Sequence, residues 1–228
     1  MAYYTVSMLH IFHGVIRNSR IVVRLEPGIA HGALINIHAI IVHQTDSATA
    51  AATLNGYETN ANADRAKPGA HFLIDKDGTI YQTASLEQRC YHIGKIRIRC
   101  YEEHKCVGVE KTYFDTLTKD PKTAFHKLLN EGRLHDQAKK YPARYPMNSD
   151  SIGVELVGLK LGDRKDSSLR SEYNDPKGPW EVPTDKQQAS LQWLIRELLE
   201  TLHLQRTDIY RHPQVSRKTD NEAADAKF

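Results

Sequence analysis

The chain has 228 residues, a length suited to one domain, and its 40% hydrophobic and 26% charged content is the mix of a soluble globular protein. Net charge is +3 with no dense Lys/Arg run, which argues against a dedicated nucleic-acid binder. The longest apolar runs, such as Ala39–Val42, are far too short to span a bilayer, so no integral membrane association is expected. The N-terminus has no early positive charge and no clean apolar segment with a small-residue cleavage site, so it is read as lacking a Sec-type signal.

In chain order, residues 1–34 read as an N-terminal extension packed on a domain of residues 35–228. Within the extension, Arg20–Leu25 (RIVVRL) predicts a short strand. Ile35–His43 (INIHAIIVH) alternates and then becomes continuously apolar, the pattern of a strand buried on both faces. The segment after it predicts a helix, capped by Asp46 or Ser47 and stopped by Gly56. Gly69–Ala84 predicts a hairpin turning at Asp77-Gly78.

A polar, insertion-like region covers about residues 97–146. Inside it, Asp120–Gly132 has a cap, a proline at the first helical position and a glycine stop, and predicts a helix packing through Phe125, Leu128 and Leu129. Three cysteines, Cys90, Cys100 and Cys106, define no disulfide framework. Cys100 and Cys106 could pair in an oxidising compartment; two free thiols is the more ordinary reading.

Ser151–Gly158 (SIGVELVG) predicts a short buried strand with one carboxylate, Glu155, in its middle. Residues 162–182 predict a loop. Thr184–Leu204 predicts the longest helix, opened by a Thr184/Gln187 capping box, with Leu191, Leu194, Ile195, Leu198, Leu199 and Leu202 on one face. Its polar face carries mixed charge, so packing on a sheet fits better than a membrane surface.

Several of these residues have chemistry to offer. A catalytic zinc takes three protein ligands and leaves one position for water. His43 ends a buried strand, His212 follows the strand-like pattern DIYR, and Asp220 lies on the loop beyond. Two imidazoles and one carboxylate would leave a metal a good Lewis acid. Taken singly, each residue also fits an ordinary surface position. Glu155 in an apolar run is costly unless paired or used, either in a salt bridge or as a general base. Lys218 fits a solvated charge as well as a group that stabilises an oxyanion.

Four blocks together resemble the zinc-dependent N-acetylmuramoyl-L-alanine amidases of the amidase-2 and peptidoglycan-recognition-protein superfamily. They are IIVHQTDS, GAHFLIDKDGTIYQTASLEQRCYHIGK, SIGVELVG and HPQVSRKTD, in family order across residues 36–220. The resemblance implies an α/β fold, a central mixed β-sheet flanked by helices with a groove at the strand ends. It implies one zinc per chain held by His43, His212 and Asp220, Glu155 as general base, Lys218 steadying the transition-state oxygen, and His92 lining the substrate cleft. Residues 35–228 become the amidase-like catalytic domain, and 97–146 has no counterpart in minimal members.

Departures from the pattern are informative. Lys218 and Asp220 follow His212 by six and eight residues, a phage-lysozyme-like spacing; the muropeptide-amidase branch has a loop two residues longer. The phage type uses a cysteine ligand and a hairpin tyrosine, whereas this chain has Asp220 and Ala70. The usual Asp-Pro-Gly after the loop is replaced by DNEAAD.

The implied activity is hydrolysis of the amide between N-acetylmuramic acid and L-alanine, with peptidoglycan or muropeptides as partner. A lytic or antibacterial role, of phage or type VI secretion type, is expected, with synthesis in the bacterial cytoplasm and action in the periplasm or on the wall after non-Sec export or lysis. An immunity protein or secretion carrier is the further partner this role implies. Two other readings are a cytoplasmic wall-recycling amidase and a non-catalytic peptidoglycan-binding module.

Overall fold

A computed structural model describes residues 9–58, 67–161, 179–217 and 221–228. In chain order the strands and helices are β1 (His10–Phe12), β2 (Val15–Arg17), β3 (Ile21–Val23), β4 (Ala39–Gln44), α1 (Ala50–Glu58), β5 (Phe72–Ile74), β6 (Ile80–Gln82), α2 (Arg99–Glu102), α3 (Gly108–Thr118), α4 (Pro121–Lys127), α5 (Arg133–Gln137), β7 (Ser151–Leu156), α6 (Asp185–Thr201), β8 (Ile209–Arg211) and α7 (His212–Val215). β1 and β2 form a small antiparallel ribbon, and the other six strands form one sheet in the order β3-β6-β5-β7-β4-β8. The sheet is mixed: β5 and β6 run antiparallel, while β3–β6, β5–β7, β7–β4 and β4–β8 are parallel.

Period-two alternation sorts the central strands into two faces. Ile40 and Val42 of β4, Phe72 and Ile74 of β5, and Ile152, Val154 and Leu156 of β7 are buried in one core with Leu191, Leu194, Ile195 and Leu198 of α6. The opposite face receives Ile41, His43, Leu73, Gly153 and Glu155, and it carries the chemistry. α6 starts as the sequence predicts: Thr184 Oγ1 accepts from the Gln187 amide and the Gln187 side chain accepts from the Thr184 amide.

Four local expectations change. β4 begins at Ala39 rather than Ile35, because its partner β7 begins opposite it at Ser151 and Ile35 is 85% exposed. Gly56 lies inside α1 rather than ending it; burial of Leu54 and Tyr57 outweighs the roughly 1 kcal/mol cost of a helical glycine. Gly132 does not stop the insertion helix: the chain passes through a π turn (Leu128–Gly132) into α5. A Cβ on Gly132 would lie 2.6 Å from Ile98 Cδ1, so the glycine serves close packing. Finally, Cys100 and Cys106 form a disulfide instead of two free thiols, while Cys90 is free and buried.

The insertion has its own small core of Ile98, Phe114, Leu117 and Leu128. It joins the sheet end where the Arg97 amide donates to Val215 O at 2.8 Å. In the N-terminal segment, β3 is the edge strand beside β6, and the Ile16 amide donates to Gln82 Oε1 at 2.8 Å. Most of the expected loop, residues 162–178, lies outside the described residues. Among the described residues, no helix is long and apolar enough to cross a membrane.

Candidate metal centre and catalytic cleft

Three strand ends converge on one cleft of about 580 Å³. His43 stands near the end of β4, and Glu155 of β7 is its register partner on the adjacent parallel strand. Parallel pairing at the same level puts both side chains on the same face. β8 pairs with the other edge of β4 as far as Val42–Arg211, and the chain then turns into α7 at His212-Pro213, so His212 follows next to His43. The His43 and His212 ring centroids are 4.3 Å apart. His43, Glu155, His92, His212, Tyr57 and Glu222 all line the cleft.

Glu222 is the residue that reading the sequence missed. One of its oxygens, Oε1, lies 3.0 Å from His212 Nδ1 and 3.5 Å from His43 Nδ1. All three residues are buried, and their donor atoms lie within 4.8 Å of one another. Arg211 holds this part of the C-terminal segment by donating to Ala223 O at 2.9 Å and Ala226 O at 2.7 Å. Burial opposes ionisation of Glu222, but the His212 and His43 imidazoles outweigh it and hold the carboxyl below the usual carboxylate range. A spacing clue was present: Glu222 follows His212 by ten residues, which is the eight residues to Asp220 plus the two by which the muropeptide-amidase loop is longer.

The residue types suit a metal. Two imidazoles and a carboxylate are zinc donors, and a buried carboxylate between two ring nitrogens calls for a cation. The other cluster of possible ligands, Cys100, Cys106 and Glu110, has its two sulfurs joined in the disulfide.

Of the residues singled out from the sequence, the structure brings His43, His212, Glu155 and His92 to this cleft. Lys218 and Asp220 lie outside the described residues. His92 is 8% exposed, and its Nδ1 meets His43 Nε2 at 3.1 Å. Burial, then the neighbouring His43 and His71, push its pKa well below the usual histidine value.

Behind it, His71 is fully buried and fully satisfied. Its Nε2 donates to Gln88 O at 2.8 Å, and its Nδ1 accepts from the Gly153 amide at 3.1 Å. A second ring proton would face the Gly153 N–H, and burial lowers the pKa to about 4. Because the folded value is depressed, stability from neutral His71 is complete above about pH 6.5 and is lost as pH falls toward about 4, roughly 3 kcal/mol in all. Chemical denaturation of the metal-free protein across that window should show this slope added to that of His92, and His71→Gln should reduce it whatever the variant's absolute stability. An unchanged slope would place the acid sensitivity elsewhere.

A family model described as N-acetylmuramoyl-L-alanine amidase matches residues 34–223. No curated protein matches the chain by sequence. Among solved structures, a selenomethionine derivative of AmpD is similar over 93% of this chain and 92% of its own, with 17% identity and a TM-score of 0.52. The catalytic domain of XlyA aligns over 87% of each chain at 19% identity and a TM-score of 0.46. The amidase LysC from Clostridium intestinale URNW aligns over 86% of each chain at 16% identity and a TM-score of 0.43.

Proposed function

Because the chain belongs to the N-acetylmuramoyl-L-alanine amidase family, we propose that it is a zinc-dependent hydrolase of the amide joining the lactyl group of N-acetylmuramic acid to L-alanine of the stem peptide. The convergence of His43 Nδ1, His212 Nδ1 and Glu222 Oε1 beside Glu155 is the observation that carries this reading. His43, His212 and Glu222 would hold the metal. When bound, zinc supplies Lewis acidity at the carbonyl and lowers the pKa of water.

The chain's own residues do the remaining work. Glu155, one strand from His43, takes a proton from the attacking water and passes it to the leaving amine nitrogen. Lys218, by the resemblance, steadies the negative charge that develops on the carbonyl oxygen. Asp220, in the KTD segment, is the second candidate for the carboxylate ligand, favoured by the sequence resemblance.

Purified sacculi mixed with the protein should release stem peptides bearing a free N-terminal L-alanine, seen by mass spectrometry, and a chelator should stop the release. Binding without release would make the protein a recognition module, and fragments cut within the stem would change the bond.

The site of action in this proposal is the cell wall outside the cytoplasm, in a lytic or antibacterial role with an immunity protein or secretion carrier as partner. The Cys100–Cys106 disulfide supports an oxidising compartment over cytoplasmic recycling. Directing the protein to the periplasm of a test bacterium should lyse it, whereas cytoplasmic expression should not.

A further inference from the structure

We propose that His92 is a positioning residue that fixes which ring nitrogen His43 presents to the metal; this rests on the zinc reading above. His92 Nε2 faces two groups of Ser151, the backbone oxygen at 3.3 Å and the hydroxyl at 3.4 Å. A carbonyl oxygen only accepts. The Ser151 hydroxyl already donates to Met147 O at 2.7 Å, so toward His92 it also accepts. The ring proton of His92 therefore sits on Nε2, and Nδ1 is a lone pair.

That lone pair meets His43 Nε2 at 3.1 Å, so His43 Nε2 is the donor. With Nε2 turned to His92, His43 presents its other nitrogen, Nδ1, to Glu222 Oε1 at 3.5 Å. Ligating histidines generally give their second nitrogen to a carboxylate, a carbonyl or water. Here a second histidine, backed by Ser151, takes that place.

The surroundings keep the His92 ring from turning. Asn148 Oδ1 accepts from the amides of His92 at 3.0 Å and Ile93 at 2.8 Å, and Asn148 Nδ2 donates to Ile93 O at 2.9 Å. The ring packs directly on Gly153, where a Cβ would lie 2.9 Å from His92 Cγ. Glycine at this point of β7 makes room for the relay.

Long-range proton–nitrogen NMR correlations of the metal-free protein read the tautomers directly. His92 is expected with its proton on Nε2 and an unprotonated Nδ1, and His43 with a proton on Nε2. Zinc affinity, by competition with a chromophoric chelator, should fall about 10- to 100-fold in His92→Phe. It should recover to within a few-fold in His92→Asn, whose amide oxygen can accept from His43 Nε2. A His43 Nε2 without a proton, or a His92 ring proton on Nδ1, overturns the proposal even if the variants do not fold. So does a folded His92→Phe that binds zinc as tightly as wild type. If wild type binds no zinc at all while the tautomers are as stated, it is the metal reading that fails.

Discussion

Replacing Glu155 with glutamine is expected to lower turnover on sacculi by about 10²- to 10⁴-fold, the range for a lost general acid–base, while zinc stays bound. Glutamine keeps the size and hydrogen-bonding reach of the side chain but cannot accept the water proton. Glu155 belongs to β7, whose Ile152, Val154 and Leu156 are buried on the opposite face against α6, so the strand itself should not move. Parallel register fixes the carboxylate beside His43. Zinc content by mass spectrometry under native conditions separates the roles: retained metal with lost turnover marks a base, whereas joint loss marks a ligand. Retained turnover in Glu155→Gln would remove the carboxylate from the chemistry.

Replacing Glu222 with glutamine is expected to lower zinc affinity by more than the roughly 10- to 100-fold typical of a residue outside the metal's ligand set. The variant removes the anion that lies 3.0 Å from His212 Nδ1 and 3.5 Å from His43 Nδ1, and an amide is a poor replacement for a charged oxygen donor. Asp220→Asn is the paired measurement. With Glu222 as ligand, Asp220→Asn should lose no more than an outer group would. The opposite ranking, with Glu222→Gln binding nearly normally and Asp220→Asn losing the metal, would return the ligand role to Asp220 and leave Glu222 as a hydrogen-bond partner of His212. Because a metal that binds only the folded state raises thermal stability by mass action, the zinc-induced shift in Tm should follow the same ranking.

The parts of the site that the sequence made legible lie on regular elements. IIVHQTDS and SIGVELVG are strands, and a strand fixes its side chains through a period of two and a ladder register, so His43 and Glu155 could be placed from short patterns. The capping box at Thr184 and the Asp77-Gly78 turn were legible for a similar reason, since neighbours a few residues apart decide them. Gly56 and Gly132 misled because glycine as a helix stop is a local tendency, whereas packing of Leu54, Tyr57, Ile98 and Phe114 is tertiary. His92 was assigned to the cleft wall by resemblance alone; its contact with His43 joins residues 49 positions apart and has no sequence pattern.

The sequence by itself determined the family and brought forward two candidate imidazoles, His43 and His212, because those follow from patterned segments that carry their own geometry. Only the tertiary structure decided that the carboxylate facing both imidazoles among the described residues is Glu222. Its place depends on how Arg211 and α6 hold the C-terminal segment, where Gln188 Nε2 donates to Asp225 O at 2.7 Å. It also decided the Cys100–Cys106 pairing and the His43–His92–Ser151 relay. Each of these is a contact between residues that no single helix or strand period relates, so tertiary packing rather than a local pattern sets it.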